Sequence, residues 1–196
     1  MVRATRSFPD SRARWTMLSG DRRMEKTMIH TLRLDLVLQT PEETLAFIEA
    51  MPPADRAEVS PEWIARVRAT PAGDPWSLGF SVVVRGGGVV GGCGFKGPPD
   101  SDGMVELAYG IDAAHRGRGY ATEAAGGLAG FALADSRVRM VRAHTKPEND
   151  ASARVLAKCG FRPVGEVVDP EDGLVRRWVL APGTLANHCG GVGRLQ

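Results

Sequence analysis

"HRGRGYATEA", residues 115–124, sets Arg116, Gly117, Arg118 and Gly119 in succession and then runs into a helix-forming segment. It follows "GMVELAYGID" (103–112), where Val105, Leu107, Tyr109 and Ile111 alternate with Met104, Glu106, Ala108 and Gly110, the period-two pattern of a strand. A strand, a glycine-rich turn and a helix N-terminus together make a place for an anion. The first amides of the helix lack intrahelical partners, and its dipole is positive at that end. Gly119 lets the backbone approach a phosphate closely, and Arg116 and Arg118 add positive charge. The same residues also suit a solvated basic turn whose glycines serve only backbone geometry. Two nucleotide motifs are excluded. The chain has no GK[ST] of a P-loop, and Gly117-x-Gly119 meets Thr122 where a dinucleotide fingerprint needs glycine. Asp135, moreover, falls at a helix end and not after a second strand.

Outward from this centre, the pattern predicts an ordered series of elements. "TLRLDLVLQT" (31–40) places Leu32, Leu34, Leu36 and Leu38 on one side of a strand with Arg33 and Asp35 opposite. Thr40 precedes "PEETLAFIEA", and Ser60 repeats the device before "PEWIARVRA": a capping residue, proline at a first helical position, then acids. In "WSLGFSVVVR", Trp76, Leu78, Phe80, Val82 and Val84 share a face, and "GGG" (86–88) turns into "VVGGCGF". Strands through 84, 95 and 112 read as an antiparallel meander. After the arginine-glycine loop come a helix near 120–134, a strand "VRMVRAHT", a helix near 150–159, and strands near 163–168 and 174–180. Gly126, Gly127 and Gly130 inside the first of these helices suggest close packing on the sheet. Fold class is thus α/β, a mixed and mostly antiparallel sheet of six to seven strands flanked by about four helices. The expected organisation is an extension over 1–28, one domain over 29–181 and a tail over 182–196.

Composition narrows the function classes. A chain of 196 residues suits one α/β domain with tails, and 43% hydrophobic with 24% charged residues is ordinary for a globular protein. The formal charge of +2 is too small to argue by itself for nucleic acid, and no nucleic-acid partner is expected. The arginines of 137–142 read as a solvated edge, since no aromatic residues interleave them. No apolar run approaches the roughly 20 residues of a membrane-spanning helix, so no membrane association is expected. The arginine-rich start carries no apolar leader core, and Asp10 and Asp21 oppose a mitochondrial presequence. Cys93, Cys159 and Cys189 form no CxxC pair or disulfide framework, and His30, His115, His144 and His188 show no metal-ligand spacing. A reducing cytoplasm, no metal, and a monomer or homodimer are the expectations.

"RGRGYA" (116–121) resembles the R/Q-x-x-G-x-G/A motif of the GNAT superfamily of N-acetyltransferases. With "GYATEA", "N-x-x-S" (149–152) and "VLAKCGF" (155–161), the chain is most similar to the branch that acetylates ribosomal-protein N-termini and related amines. The likeness runs from about His30 to Leu180 and is strongest over 104–165. It implies a GNAT-like fold and acetyl-coenzyme A as acyl donor, with the loop's main-chain amides on the pyrophosphate. It also implies that the strand ending at Ile111 splays from "VRMVRAHT" and that acetyl-pantetheine lies in the gap. Tyr109, Gly110, Ile111, Arg116, Gly117, Arg118, Gly119, Tyr120, Ala121, Thr122 and Asn149 are the expected cofactor contacts.

Two residues are candidates for the chemistry. Glu106 is a lone acid among small residues on its strand face, suited to take the proton of an attacking amine. Ser152, Val155, Leu156 and Cys159 fall at i, i+3, i+4 and i+7, so they share the inward face of a helix that Asn149 would cap and Gly160 would end. Many relatives carry a tyrosine acid where Leu156 stands, which leaves Ser152 as proton donor to the departing thiolate. The alternatives for these two are a surface carboxylate and a hydroxyl bonded back to its helix. The expected function is acetyl transfer to a primary amine, either a peptide N-terminus or a small molecule. A non-catalytic acyl-coenzyme A sensor would keep the loop without needing Glu106 or Ser152.

Overall fold

Leu34, Leu36 and Leu38 are buried and alternate with half-buried Asp35 and Val37 along strand β2 (Leu34–Leu38), as the period-two pattern requires. Leu32 does not join them. It sits in the turn between β1 (Met28–His30) and β2 with 82% of its surface exposed. Thr31 makes this turn, its N–H donating to the Leu34 carbonyl at 2.9 Å and its hydroxyl oxygen accepting from the Leu34 N–H at 3.0 Å. The computed structural model describes residues 27–50, 53, 56, 59, 61–170 and 172–185. The expected extension and tail lie outside these, apart from Thr27, Met28 and 182–185, as do the expected cap Ser60, Cys189 and His188. Met28 opens β1, and Leu185 packs against the core.

Thr40 and Glu43 form a reciprocal capping box at the start of α1 (Pro41–Glu49), with Pro41 in the first turn. Next come α2 (Pro61–Ala69), β3 (Gly79–Val84), β4 (Val89–Phe95) and β5 (Met104–Ile111). A single 3₁₀ turn (Ala113–His115) carries the chain into α3 (Tyr120–Ala134). The remainder is β6 (Met140–Thr145), α4 (Asp150–Lys158), β7 (Arg162–Asp169) and β8 (Gly173–Leu180). One eight-stranded sheet has the order β1-β2-β3-β4-β5-β6-β8-β7. The mixed, mostly antiparallel class is as expected, with β1 as the additional strand.

Helix α3 lies across the sheet, touching β1, β2, β4, β5 and β6. Its Phe131 meets Trp76, Phe80 and Phe95 at ring distances of 6.0–6.3 Å. Gly127 passes so near Thr31 that an added Cβ would come within 2.7 Å of Thr31 Cγ2, which accounts for one of the helix glycines. Phe95 and its cross-strand partner Leu107 face α3, so the adjacent Lys96 and Glu106 project from the opposite face.

Every described pairing is antiparallel except β5–β6, and that parallel pairing is short. It joins Met104, Val105 and Glu106 to Met140, Val141 and Arg142 and then stops. Beyond it β5 stays paired to β4 through Ile111, while β6 stays paired to β8 through Thr145. The sheet therefore opens into a wedge between residues 107–111 and 143–145.

Gly91 keeps the β4 side of that wedge in place. A Cβ there would collide with the Gly110 carbonyl oxygen and lie 3.0 Å from Ile111 Cα. Gly91→Ala is expected to lower stability by about 1–3 kcal/mol in urea denaturation, the usual range for overpacking. Gly88→Ala, with nothing within 4 Å, should be close to neutral. Equal stabilities for the two variants would contradict this account of the β4–β5 contact.

Candidate active site

The wedge is roofed by the N-termini of two helices. Gly119 is the N-cap of α3 at φ 81°, a left-handed conformation that strains any residue with a Cβ, and it supplies no side-chain cap. The Glu123 N–H closes the first turn on the Gly119 carbonyl at 3.1 Å. The amides before it lack an intrahelical acceptor, as at any helix start, and belong to residues that line a cleft. Asn149 caps α4, its side-chain oxygen accepting from the Ser152 N–H at 3.1 Å.

The cleft between these ends has a volume of about 330 Å³. Its walls are Tyr109–Ile111 of β5, residues 115–117 and 119–122 of the loop and α3, and Ala151, Ser152, Arg154, Val155 and Lys158 of α4. Nine of the eleven expected cofactor contacts line it. Arg118 does not; its guanidinium turns back to 3.5 Å from the Ala114 carbonyl. Asn149 does not either, being occupied as the α4 cap. Four basic residues line the cleft (His115, Arg116, Arg154 and Lys158) and, among the described residues, no acid does. Sequence reasoning passed over Arg154 and Lys158, although their i, i+4 spacing beside Ser152 puts them on one stripe of α4. Arg116 Nε also donates to the Ile111 carbonyl at 3.0 Å, tying the loop to the end of β5.

A buttress missed by the sequence reading supports the loop from outside. Glu123 accepts from the Thr31 hydroxyl at 2.7 Å, from the Arg33 main-chain N–H and from Arg33 Nε at 2.8 Å. Burial alone would raise the Glu123 pKa, but these bonds from Thr31 and Arg33 outweigh it and hold the carboxyl below its ordinary range. Arg33 Nη1 then reaches the Arg118 carbonyl at 3.1 Å, and the guanidinium lies 5.0 Å over the Tyr120 ring. A turn remote in sequence thus fixes the first turn of α3.

Ser152 is buried and lines the cleft, and Leu156 on the same helix face is fully buried. The Tyr109 hydroxyl donates to the Ser152 carbonyl at 3.4 Å, and burial pushes the phenol well above its usual range, so it stays protonated. The Ser152 and Tyr109 side chains therefore both stand at the cleft, and the sequence reading gave a proton-donor role to Ser152 alone.

Glu106 occupies the other side of the sheet and is only 7% exposed. Its Oε2 accepts from Arg142 Nε at 2.9 Å, while Oε1 lies 3.1 Å from Lys96 Nζ and 3.3 Å from His144 Nδ1. Burial would raise its pKa, but the adjacent His144 and the charge of Lys96 more than reverse that, so the carboxylate is ionised far below its ordinary range. Asp169 and Asp172, at the β7–β8 turn, join the cluster through His144 and Lys96. Arg142, read from sequence as part of a solvated edge, is in fact the fixed partner of Glu106. The cleft and the acid thus lie on opposite faces, with the opening between β5 and β6 beside both.

A comparison with known families decides the grouping: the Acetyltransferase (GNAT) domain matches residues 22–162. The chain belongs to the GNAT acetyltransferase family. It is 40% identical over 73 residues to the uncharacterized N-acetyltransferase YjdG of Bacillus subtilis, covering 37% of this chain and 44% of that one. The chain spans about half the length of the curated relatives it matches. Among solved structures, Mycobacterium smegmatis RimJ in complex with CoA-disulfide has a TM-score of 0.61 at 19% identity, over 81% of this chain and 88% of that one. The aminoglycoside acetyltransferase AAC(6')-Ib in complex with coenzyme A and kanamycin has a TM-score of 0.60 at 18% identity, over 76% and 95%. At these identities the two structures share the GNAT fold with this chain. Among the described residues no group of histidine, cysteine or acidic side chains could hold a metal, and no helix is long and apolar enough to cross a membrane.

Gly119 combines a left-handed φ with a close neighbour, since a Cβ added there would lie 3.3 Å from Arg33 Nη2. Gly119→Ala should therefore distort the first turn of α3. Calorimetry is expected to find coenzyme A bound at least tenfold more weakly, with the circular dichroism spectrum preserved. Unchanged affinity would remove this loop from the cofactor site.

Proposed function

We propose that this chain transfers an acetyl group from acetyl-coenzyme A to a primary amine, carried by a peptide N-terminus or by a small molecule. The observation that carries the reading is the uncapped N-terminus of α3, opening onto a basic cleft at the point where β5 and β6 part. Amides of residues 119–122 would hold the pyrophosphate, helped by Arg116, Arg154 and Lys158. Nothing in that lining repels a polyanion. The same fold in AAC(6')-Ib accompanies coenzyme A and an amine-bearing ligand, kanamycin.

The remaining roles follow from placement. A primary amine is mostly protonated near neutral pH, with a pKa of about 8 for an α-amino group and about 10.4 for lysine. Glu106, ionised throughout that range, would attract the ammonium and hold the water through which its proton leaves to solvent. Main-chain amides near Tyr109 to Ile111 would stabilise the oxyanion as the N–C bond forms. The C–S bond then breaks, and Ser152 would give its proton to the thiolate and recover one from solvent. The Tyr109 hydroxyl, one residue contact away, is the alternative donor. Cys93 and Cys159 are buried free thiols, and burial pushes the Cys93 pKa up to about 12. Such inert thiols suit a reducing compartment such as the cytoplasm.

The test is a pH–rate profile of coenzyme A release, run across peptide N-termini, polyamines and aminoglycosides. Glu106 stays ionised over the whole range, so the acid limb should belong to the amine. Glu106→Gln should therefore lower kcat/KM by about 10²–10⁴-fold near neutral pH, with the loss shrinking as the amine deprotonates unaided. Ser152→Ala should lower kcat at all pH values with acetyl-coenzyme A still bound. If Ser152→Ala is neutral and Tyr109→Phe is impaired, the donor is Tyr109. Rates like the unsubstituted chain for all three variants would exclude the mechanism, and tight cofactor binding without turnover on any amine would favour a binding domain.

A further inference from the structure

Lys96 is held in an unusual position for a surface cation. Its main-chain N–H donates to the Glu106 carbonyl at 2.9 Å, and its own carbonyl accepts from Arg66 Nη1 of α2 at 2.8 Å. The backbone is thereby fixed between β5 and α2 while the side chain remains a third exposed. Its ammonium bridges Glu106 Oε1 at 3.1 Å and Asp172 Oδ2 at 3.6 Å, two carboxylates whose side chains are 6% and 1% exposed. The cation therefore sits on the solvent side of two buried acids.

The two oxygens of Glu106 are not equivalent. Oε2 is held by Arg142, a planar guanidinium with a fixed donor geometry. Oε1 faces an ammonium at the end of a flexible four-carbon stem, a compact charge that exchanges readily with another of its kind. Beside it His144 is 2% exposed, and Arg177 Nε donates to its Nε2 at 3.1 Å, which leaves the ring proton on Nδ1. That Nδ1 points between Glu106 Oε1 and Asp169 Oδ2, at 3.3 and 3.7 Å, and makes no hydrogen bond of good geometry among the described residues.

We propose that the Lys96 ammonium occupies the position of the acceptor's own ammonium, and that the acceptor is a cationic alkylamine which displaces it from Glu106 and Asp172. This rests on the acyl-transfer reading above and narrows its substrate class. Exchange of one ammonium for another keeps the charge of the cluster constant, so neither carboxylate is left buried without a partner. A neutral or anionic acceptor has no such exchange open to it. Lys96 is then a specificity-determining residue, an internal competitor that weakens the apparent affinity for every cationic acceptor.

The experiment measures hexylammonium binding by calorimetry to the coenzyme A-saturated full chain, with hexanol as the uncharged control. Lys96→Met keeps the stem and removes the competitor, so hexylammonium should bind about tenfold more tightly while hexanol is unaffected. Lys96→Arg installs a cation that grips both carboxylates more firmly, so binding should weaken below that of the unsubstituted chain. The expected order of affinity is Met, Lys, Arg. Equal affinities across the three would overturn the proposal, as would equal gains for hexanol and hexylammonium. If Lys96→Met fails to fold, Lys96→Arg decides alone, and an affinity matching the unsubstituted chain refutes the displacement. Coenzyme A release from acetyl-coenzyme A is followed in parallel. The expected affinity order without release on any amine would retain the ammonium site and reject acyl transfer.

Discussion

The three-residue parallel pairing of β5 with β6 is the constraint on which the rest of the structure depends. Parallel strands cannot be joined by a hairpin and need a crossover, here α3, whose N-terminus is brought to the end of β5. Because the pairing ends at Glu106 and Arg142, the two strands separate while each keeps an antiparallel partner on its outer side. The opening is therefore produced without breaking the sheet. It is also what allows one face to present helix amides and the other a carboxylate at the same place.

Each face is stabilised by its own device. On the cleft side, an uncapped helix start is supported indirectly: Glu123 binds Thr31 and Arg33, and Arg33 holds the Arg118 carbonyl. The His115 and Arg116 N–H groups donate to the Asp112 and Ala113 carbonyls, while this support reaches the start of α3 through a carbonyl and side chains and does not use its first amides. On the acid side, desolvation of Glu106 is offset by a cation on each oxygen. Removing one partner of such a buried pair generally costs about 3–5 kcal/mol, since the other is left uncompensated. Arg142 lies on β6 and Glu106 on β5, so the same ion pair that tunes the acid also closes the last paired step of the two strands.

Local patterns made much of this legible in the sequence. The alternation of Val105 to Ile111, the capping positions of Thr40 and Asn149, and the glycines ahead of Tyr120 each act over a few residues, and the corresponding elements form where expected. The β1–β2 turn was not legible, because Leu32 continues the leucine alternation and nothing local reveals that Thr31 bonds to Leu34 instead. The role of Arg33 depends on a contact 90 residues away. The surroundings of Glu106 were hidden for the same reason: Lys96 follows β4, Arg142 and His144 lie on β6 and Asp172 lies in the β7–β8 turn, and only the sheet order brings them together. Arg154 and Lys158 differ, since their helical spacing was visible and only the direction of their stripe was not.

The central claim is that main-chain amides at the wedge, between the end of β5 and the start of α3, hold the phosphates and thioester arm of coenzyme A. Amide hydrogen exchange on the full chain, with and without saturating coenzyme A, tests it most directly. The account predicts slowed exchange confined to residues 109–111 and 116–122, with the second half of α3 and strands β7 and β8 unchanged. Unaltered exchange in both of those segments at saturation, or protection appearing elsewhere, would contradict it.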